Sequence, residues 1–348
     1  MIAVTRNRAN VHDRAFNRLK KFRARFFALL AALFATPLLA TASAGAAPAP
    51  QTLVANPWLS RRVLNIAHQG GEIEAPSDTM FAFKTAVDKG SDVIELDVHA
   101  TADGQIVALH DATVDRTTNG TGRVDQLTLA QIKSLDAAYD FVPGCGTCIG
   151  QPEANYSYRG FVTGQKPIPP ELSAYTPQDF QVPTLREVLQ EFPDKLVNVE
   201  IKATTPDTQP YEAQVAALMN EFGRNSDTIV VSFSDLAMTL FKANPTSVNT
   251  GPGLVTSGIF WASTQGLLPG IPLPGYQALQ VPTLYQGLPI VSQPFVTKAH
   301  NNNLAVHVWT IDDRAQMESL IDQGVDGIMT NRPTLLEQVL QEKGVKYD

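Results

Sequence analysis

Read for the spacing of its apolar residues alone, the chain from residue 64 onward alternates short strand-like runs with longer amphipathic ones. The strand-like runs fall at Leu64–His68, Val93–His99, Ile106–His110, Leu196–Lys202, Thr228–Phe233, Gly251–Thr256, Ala278–Pro282, Leu304–Ile311 and Val325–Thr330. Between them SDTMFAFKTAVDKG opens on a Ser/Asp start signal and closes on a Gly stop. TLREVLQEF, YEAQVAALMNEFG, DLAMTLFKAN and DRAQMESLIDQG repeat the helical spacing. Strand–helix alternation of this kind predicts a parallel sheet. The runs exceed the strands of a (β/α)8 barrel by one, and the excess has a cause. Only ATADGQ separates the second run from the third, too little for a parallel crossover of a dozen or more residues, so this pair is predicted to be an antiparallel hairpin. The predicted fold is therefore α/β, a (β/α)8 TIM barrel over residues 60–340.

Two stretches break the alternation. Residues 138–182, rich in Pro, Gly and Tyr, read as an insertion after the hairpin, too long for an ordinary loop. Because it follows the strand ending in His110, it is expected at the catalytic mouth. GIFWASTQGLLPGIPLPGYQ, residues 258–277, is either a degenerate helix with a loop or an apolar lip against a substrate; both readings stay open.

The N-terminus changes the compartment. Eight Arg and Lys residues precede FFALLAALFATPLLA, and small residues such as Ala42-Ser43-Ala44 follow. This is the pattern of a cleaved signal peptide, assigned to residues 1–46. The apolar run, broken by Pro37, is short against the ~20 residues of a spanning helix, so no stable membrane insertion is expected after cleavage. Export to the periplasm or the outside of a bacterium follows. The whole chain carries 27 basic and 34 acidic residues, net −7. Without the leader the balance falls to about −14, which argues against nucleic-acid partners. In an exported protein the PGCGTCIG pair reads as a Cys145–Cys148 disulfide, since a redox CxxC needs a strand before it and a helix after it.

The chemistry concentrates at strand ends. In VIELDVHA, residues two apart share a face, so Glu95, Asp97 and His99 point one way and Ile94, Leu96 and Val98 the other. Glu200 and Lys202 share a face in LVNVEIKA. Carboxylates gathered without water repel and cost several kcal/mol each to desolvate, so something cationic is expected among them. An all-oxygen set suits Ca²⁺ or Mg²⁺ rather than zinc. Lys202 beside it would hold an anion against the metal. His68 and His110 end the first strand and the hairpin strand, and active sites of such barrels lie at those ends. A pair of histidines there suits general acid and base work near neutral pH.

These residues carry a resemblance. HQG, PSDT, ELD, HD, DRTTNGTG and EIK follow one another as H-R-G, P-E-N-T, E-x-D, H-D, D-R-T-T and E-I-K do in the glycerophosphodiester phosphodiesterase family, with VWTID and MTNRP near the end. The chain resembles that family from about Leu64 to Pro333. The resemblance implies a (β/α)8 barrel, a divalent metal (often Ca²⁺, with Mg²⁺ the alternative) and hydrolysis of small-molecule glycerophosphodiesters to an alcohol and glycerol 3-phosphate. It implies His68 and His110 as the acid–base pair, Glu95, Asp97 and Glu200 as metal ligands, and Lys202 as a phosphate contact. The insertion would help select the head group. Attack by a neighbouring glycerol hydroxyl, through a cyclic phosphate, and direct attack by water both remain open.

Two departures stand out. The Arg of H-R-G is Gln69 here, a neutral amide that cannot form the charge-assisted fork of Arg but can still contact substrate. The Glu of P-E-N-T is Ser77, followed by Asp78. Phe233 and Trp309 are expected to line the mouth as substrate contacts. Asp111 is expected to pair with Arg116 rather than to orient His110, and His99, His300 and His307 to be structural. The runner-up activity is a lysophospholipase D or related lipid phosphodiesterase. A catalytically inactive phosphodiester-binding barrel would show decay among the histidines and carboxylates, and all are present.

Overall fold

The computed structural model describes residues 56–59, 61–202 and 204–345; the leader expected at 1–46 lies outside them. The elements run β1 (Leu64–Ala67), α1 (Met80–Asp88), β2 (Val93–Ala100), β3 (Ile106–Ala108), α2 (Leu129–Lys133), β4 (Phe141–Val142), β5 (Gly146–Thr147), α3 (Leu185–Glu191), β6 (Leu196–Ile201), α4 (Glu212–Glu221) and β7 (Thr228–Val231). They continue as α5 (Asp235–Lys242), β8 (Asn249–Thr250), α6 (Leu254–Thr264), β9 (Ala278–Pro282), β10 (Leu284–Tyr285), β11 (Leu288–Pro289), α7 (Gln293–Asn301), β12 (Ala305–Trp309), α8 (Arg314–Asp322), β13 (Gly327–Thr330) and α9 (Pro333–Glu342).

Eight parallel strands pair in the order β8-β7-β6-β2-β1-β13-β12-β9, and β3 pairs antiparallel with β2, as the six-residue spacing requires. The two ends of the order meet across Gln277. Its backbone N–H donates to the Thr250 carbonyl at 2.8 Å, and its side-chain oxygen accepts from the Thr250 N–H at 2.8 Å. The approach is close: a Cβ on Gly251 would lie 2.9 Å from the Ala278 carbonyl oxygen. The result is a nearly closed (β/α)8 barrel.

Strand periodicity explains its two cores. Ile94, Leu96, Val98, Val197, Val199 and Ile201 face outward and pack with Phe83, Val188, Met219 and Phe241 of the surrounding helices. The alternate positions Leu64, Ile66, Val93, Ile229, Ala278 and Ala305 face inward, with Trp58 from the segment before β1 buried among them. Above this apolar floor the inward positions turn polar: Gln280 Nε2 donates to Asn198 Oδ1 at 2.6 Å and lies 3.3 Å from His307 Nδ1. Burial of His307 pushes its imidazole down to about 4.

One strand is displaced from its expected place. The run expected at Gly251–Thr256 is a strand only at Asn249–Thr250, and Leu254 already begins α6. Pro252 has no N–H to give a ladder. The first amides of α6 are taken instead by Asp235, whose carboxylate accepts from the Val255 and Thr256 N–H groups at 2.8 and 3.2 Å. Of the stretch 258–277, the first part is helix. Leu273 is buried, and Ile271 and Tyr276 pack on the same outer core, so most of its apolar residues serve packing.

In the segment 138–182, Phe161, Phe180, Tyr158 and Tyr175 pack around Phe81 of α1. The β4–β5 hairpin carries the Cys145–Cys148 disulfide and touches the loop after β1, where the Gly144 N–H donates to the Ile73 carbonyl at 2.9 Å. Among the described residues no helix is long and apolar enough to cross a membrane.

Candidate active site

β1 stops at Ala67, and the chain then turns tightly through His68–Gly71. Gln69 sits at φ 51°, Gly70 at 77° and Gly71 at 90°. The two glycines answer to space as well as to φ, since a Cβ on Gly70 would lie 2.6 Å from the Ala82 Cβ and one on Gly71 2.8 Å from Pro333. The turn aims the Gln69 backbone N–H at Glu95 Oε2, 2.8 Å away, and so ties His68 to the acidic strand.

On β2 and β6 the inward face ends in acid. Asp97 and Glu200 are register partners across the ladder, and Glu95 lies one inward position below Asp97. One oxygen from each of the three comes within 4.8 Å of the others. At that separation two like charges repel by roughly 3 kcal/mol at an effective dielectric of about 20. The consequence appears in their ionisation. Burial, then the charges of Asp97 and Asp78, push Glu95 well above the usual carboxylate range. Burial and Asp97 raise Glu200 to about 7 against the pull of Lys202.

The Lys202 ammonium lies 3.0 Å from Glu200 and 3.3 Å from Asp97. Burial works to lower its affinity for the proton, and these two carboxylates outweigh it, so it is held charged. With all three carboxylates ionised, they and the ammonium carry a formal charge of −2, the state that their raised proton affinities resist until a cation is present. Asp97 Oδ2 is buried without a hydrogen-bond partner. An all-oxygen donor set, a two-unit charge deficit and an orphaned carboxylate oxygen fit a divalent cation.

Each histidine is oriented from its far nitrogen. His68 Nδ1 is 2.6 Å from Asn331 Oδ1, and Asn331 Nδ2 donates to Asp312 at 2.9 Å. Asn331 therefore offers its oxygen to the ring, Nδ1 carries the hydrogen, and Nε2 is left for chemistry. His110, two residues past β3, meets Asp111 through Nδ1 at 2.6 Å, and its backbone carbonyl lies 3.2 Å from His99 Nε2. Asp111 also accepts from Arg116 Nε at 2.8 Å. The expectation that Asp111 would serve Arg116 instead of His110 is thus corrected: its two oxygens face different partners and it does both. The His110 hydrogen bond outweighs burial and, with Arg116, holds Asp111 well below the usual carboxylate range.

Gln69, in the arginine's place, is buried; its Oε1 accepts a 2.5 Å hydrogen bond from Ser77, and its Nε2 lies 3.5 Å from His68 Nε2. The two departures from the family pattern thus touch each other, the hydroxyl of one orienting the amide of the other. Asp78, at φ 54°, is buried with both oxygens unpartnered, and burial plus Asp97 push it well above its usual range. Phe233 and Trp309 meet edge to face at 5.3 Å, with the Lys202 ammonium 6.0 Å from the Phe233 ring.

The strand ends thus gather His68, Gln69, Glu95, Asp97, His110, Glu200, Lys202, Phe233 and Trp309. Cys145 and Cys148 stand apart in their hairpin, and His300 pairs with Asp326 at 2.8 Å. Sequence reading gave Asn331 and Asp312 no role, although MTNRP and VWTID contain them. Their signal was position, just past two strand ends.

Ionisable groups massed at one end of a barrel, over an apolar floor, define the layout of a (β/α)8 barrel enzyme. Comparison with known proteins narrows the class. The model of the glycerophosphoryl diester phosphodiesterase family matches residues 68–335. A glycerophosphodiester phosphodiesterase of Caldanaerobacter subterraneus subsp. tengcongensis is 31% identical over 287 residues, 81% of this chain and 100% of that protein. One of Bacillus subtilis is 32% identical over 287 residues, 80% of this chain and 86% of its own. The solved structure of an Oleispira antarctica phosphodiesterase, in complex with the product sn-glycerol-3-phosphate, matches with a TM-score of 0.56 at 21% identity, covering 79% of this chain and 96% of that one. The chain belongs to the glycerophosphoryl diester phosphodiesterase family.

Proposed function

We propose that this protein hydrolyses glycerophosphodiesters to an alcohol and glycerol 3-phosphate, with His68 and His110 as the acid–base pair and Glu95, Asp97 and Glu200 holding a divalent cation. Family membership supports the activity. One observation carries the roles: two histidines, each tethered through Nδ1, stand beside a carboxylate triplet whose charge is unbalanced by two.

Hard oxygens with no nitrogen ligand suit Ca²⁺ or Mg²⁺ alike, and the family resemblance favours Ca²⁺. Such a cation would neutralise the phosphate and stabilise charge developing on its oxygens. The residues do the rest. Lys202 offers the diester a second positive charge, and the Gln69 amide, braced by Ser77, offers a neutral donor. One histidine takes the proton of the attacking oxygen while the other protonates the departing alkoxide. Asp111 and Asn331 keep both rings in register throughout. Phe233 and Trp309 give the glycerol moiety an apolar wall.

The test is release of choline and glycerol 3-phosphate from glycerophosphocholine by the mature protein with Ca²⁺, Mg²⁺ or EDTA, alongside His68→Ala and calorimetric titration of Ca²⁺ into Glu200→Gln. Cation-dependent release, lost in the first variant, with cation affinity lost in the second, is the expected result. Turnover unaffected by EDTA would remove the cation from the reading. Binding of the diester without turnover would favour an inactive barrel. The leader places the enzyme outside the cytoplasm in this reading. N-terminal sequencing of exported protein should find a start near residue 47, and an intact N-terminus in the cytosol would refute export.

A further inference from the structure

The disulfide of the β4–β5 hairpin takes no part in the chemistry above, yet it stands against the loop that does. The ladder of this hairpin is two pairs long, Phe141 with Thr147 and Val142 with Gly146. A hairpin that short does not hold itself together in water. Its turn is looser still, since Gly144 and Gly146 sit at φ 80° and 81° and glycine has the most freedom to regain on leaving a fixed conformation. The base is anchored by packing. Phe141 is buried and stacks on Tyr158 at 5.6 Å, and the Tyr156 hydroxyl donates to the Cys148 carbonyl at 3.0 Å. Arg159 lies over Tyr139 and Tyr156 at 4.0 and 3.5 Å and pairs with Asp140 at 2.9 Å. The tip buries no side chain: Pro143, Gly144 and Cys145 are exposed. The Cys145–Cys148 bond ties that tip to the anchored base.

The tip presses on the histidine loop. The Gly144 N–H donates to the Ile73 carbonyl at 2.9 Å, and a Cβ on Gly146 would lie 3.0 Å from the Glu72 carbonyl oxygen. The loop hands the contact on. The Gly71 and Glu72 N–H groups fold back on the His68 carbonyl at 2.8 and 3.3 Å, and the Ile73 N–H donates to the Asn331 carbonyl at 3.4 Å. Asn331 in turn holds His68 Nδ1 at 2.6 Å. We propose that the Cys145–Cys148 disulfide is a positioning clamp for His68. Closed, it sets the hairpin tip against residues 72–73 and steadies the ring; opened, it frees the tip and slackens the ring, so the enzyme reaches its full rate only when oxidised. The inference rests on the reading of His68 as one of the acid–base pair. Cys145 is exposed, so a dithiol reductant reaches the bond. The S–S bond then takes up two electrons and two protons to give two thiols, and the dithiol closes to its own cyclic disulfide. A cytosol keeps such a pair reduced, whereas an extracytoplasmic compartment oxidises it. The leader read in the sequence gives the clamp its use: the chain is slack before export and braced after it.

The experiment measures kcat and KM on glycerophosphocholine with Ca²⁺ for the mature protein, oxidised, reduced with dithiothreitol and reoxidised. Beside it run Cys145→Ser/Cys148→Ser and Gly146→Ala, the latter placing a methyl against the Glu72 carbonyl with the disulfide intact. Spectra of the ¹⁵N-histidine-labelled protein follow the hydrogen on His68 Nδ1, assigned by its absence from His68→Ala. A small displacement of a reacting group costs up to about 10²-fold, so reduction should lower kcat about tenfold with KM little changed. Reoxidation should restore the rate, both variants should reproduce the drop, and the His68 signal should exchange faster with water in every slow form. An undiminished kcat in the reduced protein and in Gly146→Ala would leave the disulfide a fixture of the hairpin alone and overturn the clamp. A raised KM at constant kcat would make the hairpin a substrate contact and equally overturn it, as would a lost kcat with the His68 signal unmoved. If the oxidised protein turns over no glycerophosphocholine, the phosphodiesterase reading fails by itself. The His68 signal still judges the clamp in that case: faster exchange on reduction supports it, and an unchanged signal removes it.

Discussion

The two walls of the barrel mouth are built on opposite principles. One, from β1, β2, β3 and β6, is charged and tightly partnered: Gln69 N–H to Glu95, Lys202 to Asp97 and Glu200, His68 to Asn331, His110 to Asp111. The other, from β7, β8 and β12, is apolar and open, with Phe233 and Val255 each about half exposed. The first wall holds groups whose mutual repulsion needs a partner; the second offers area that needs a cover. Reacting atoms require fixed geometry, so the partnered groups are concentrated on the first wall.

Breaking the charged wall should have the largest effect. His110→Ala removes a proton-transfer group and should lower kcat about 10²–10⁴-fold on glycerophosphocholine, measured in steady state. An undiminished kcat would strip His110 of its role. Asp111→Asn keeps the shape but loses the charge facing His110 and Arg116; about a 10–100-fold drop in kcat with little change in KM is expected. If Arg116 were its only business, kcat would not move. On the apolar wall, Trp309→Ala should act through binding, raising KM about tenfold or less, with kcat within a few-fold. A kcat collapse there would mean that Trp309 holds the charged wall in place.

The smallest effect belongs to the polar layer beneath both walls. His307 is held by burial at about 4 against an ordinary 6.5. The lowered value fixes the sign: as pH falls below 6.5, the unfolded chain takes a proton that the native ring refuses until about 4, so stability is lost on acidification and unaffected above that window. The slope is at most ~1.4 kcal/mol per pH unit. Thermal melts between pH 7 and 5 should show this loss, and His307→Asn should reduce it. An identical acid slope in the variant would assign the loss to other groups.

The legible part of the site was the part written in period two. Glu95, Asp97 and Glu200 lie at alternating positions of strands whose other faces are plainly apolar, so their convergence could be read without coordinates. What stayed hidden were the partners. His68 and Asn331 are 263 residues apart and meet because β13 lies beside β1 in the barrel. The strand expected at Gly251–Thr256 was misplaced for a related reason: the run after Gly251 is apolar enough for strand or helix, and capping by Asp235 starts the helix at Leu254.

The sequence by itself determined the strand faces, the hairpin forced by six residues and the acidic rim, because backbone geometry imposes those periods on any chain that forms strands. Tertiary structure alone decided how Gln277 joins β8 to β9, which nitrogen of each histidine is tethered, and which hydrophobics stay in water. Each of those depends on side chains remote in the chain being carried to one place, and that happens only when the barrel closes.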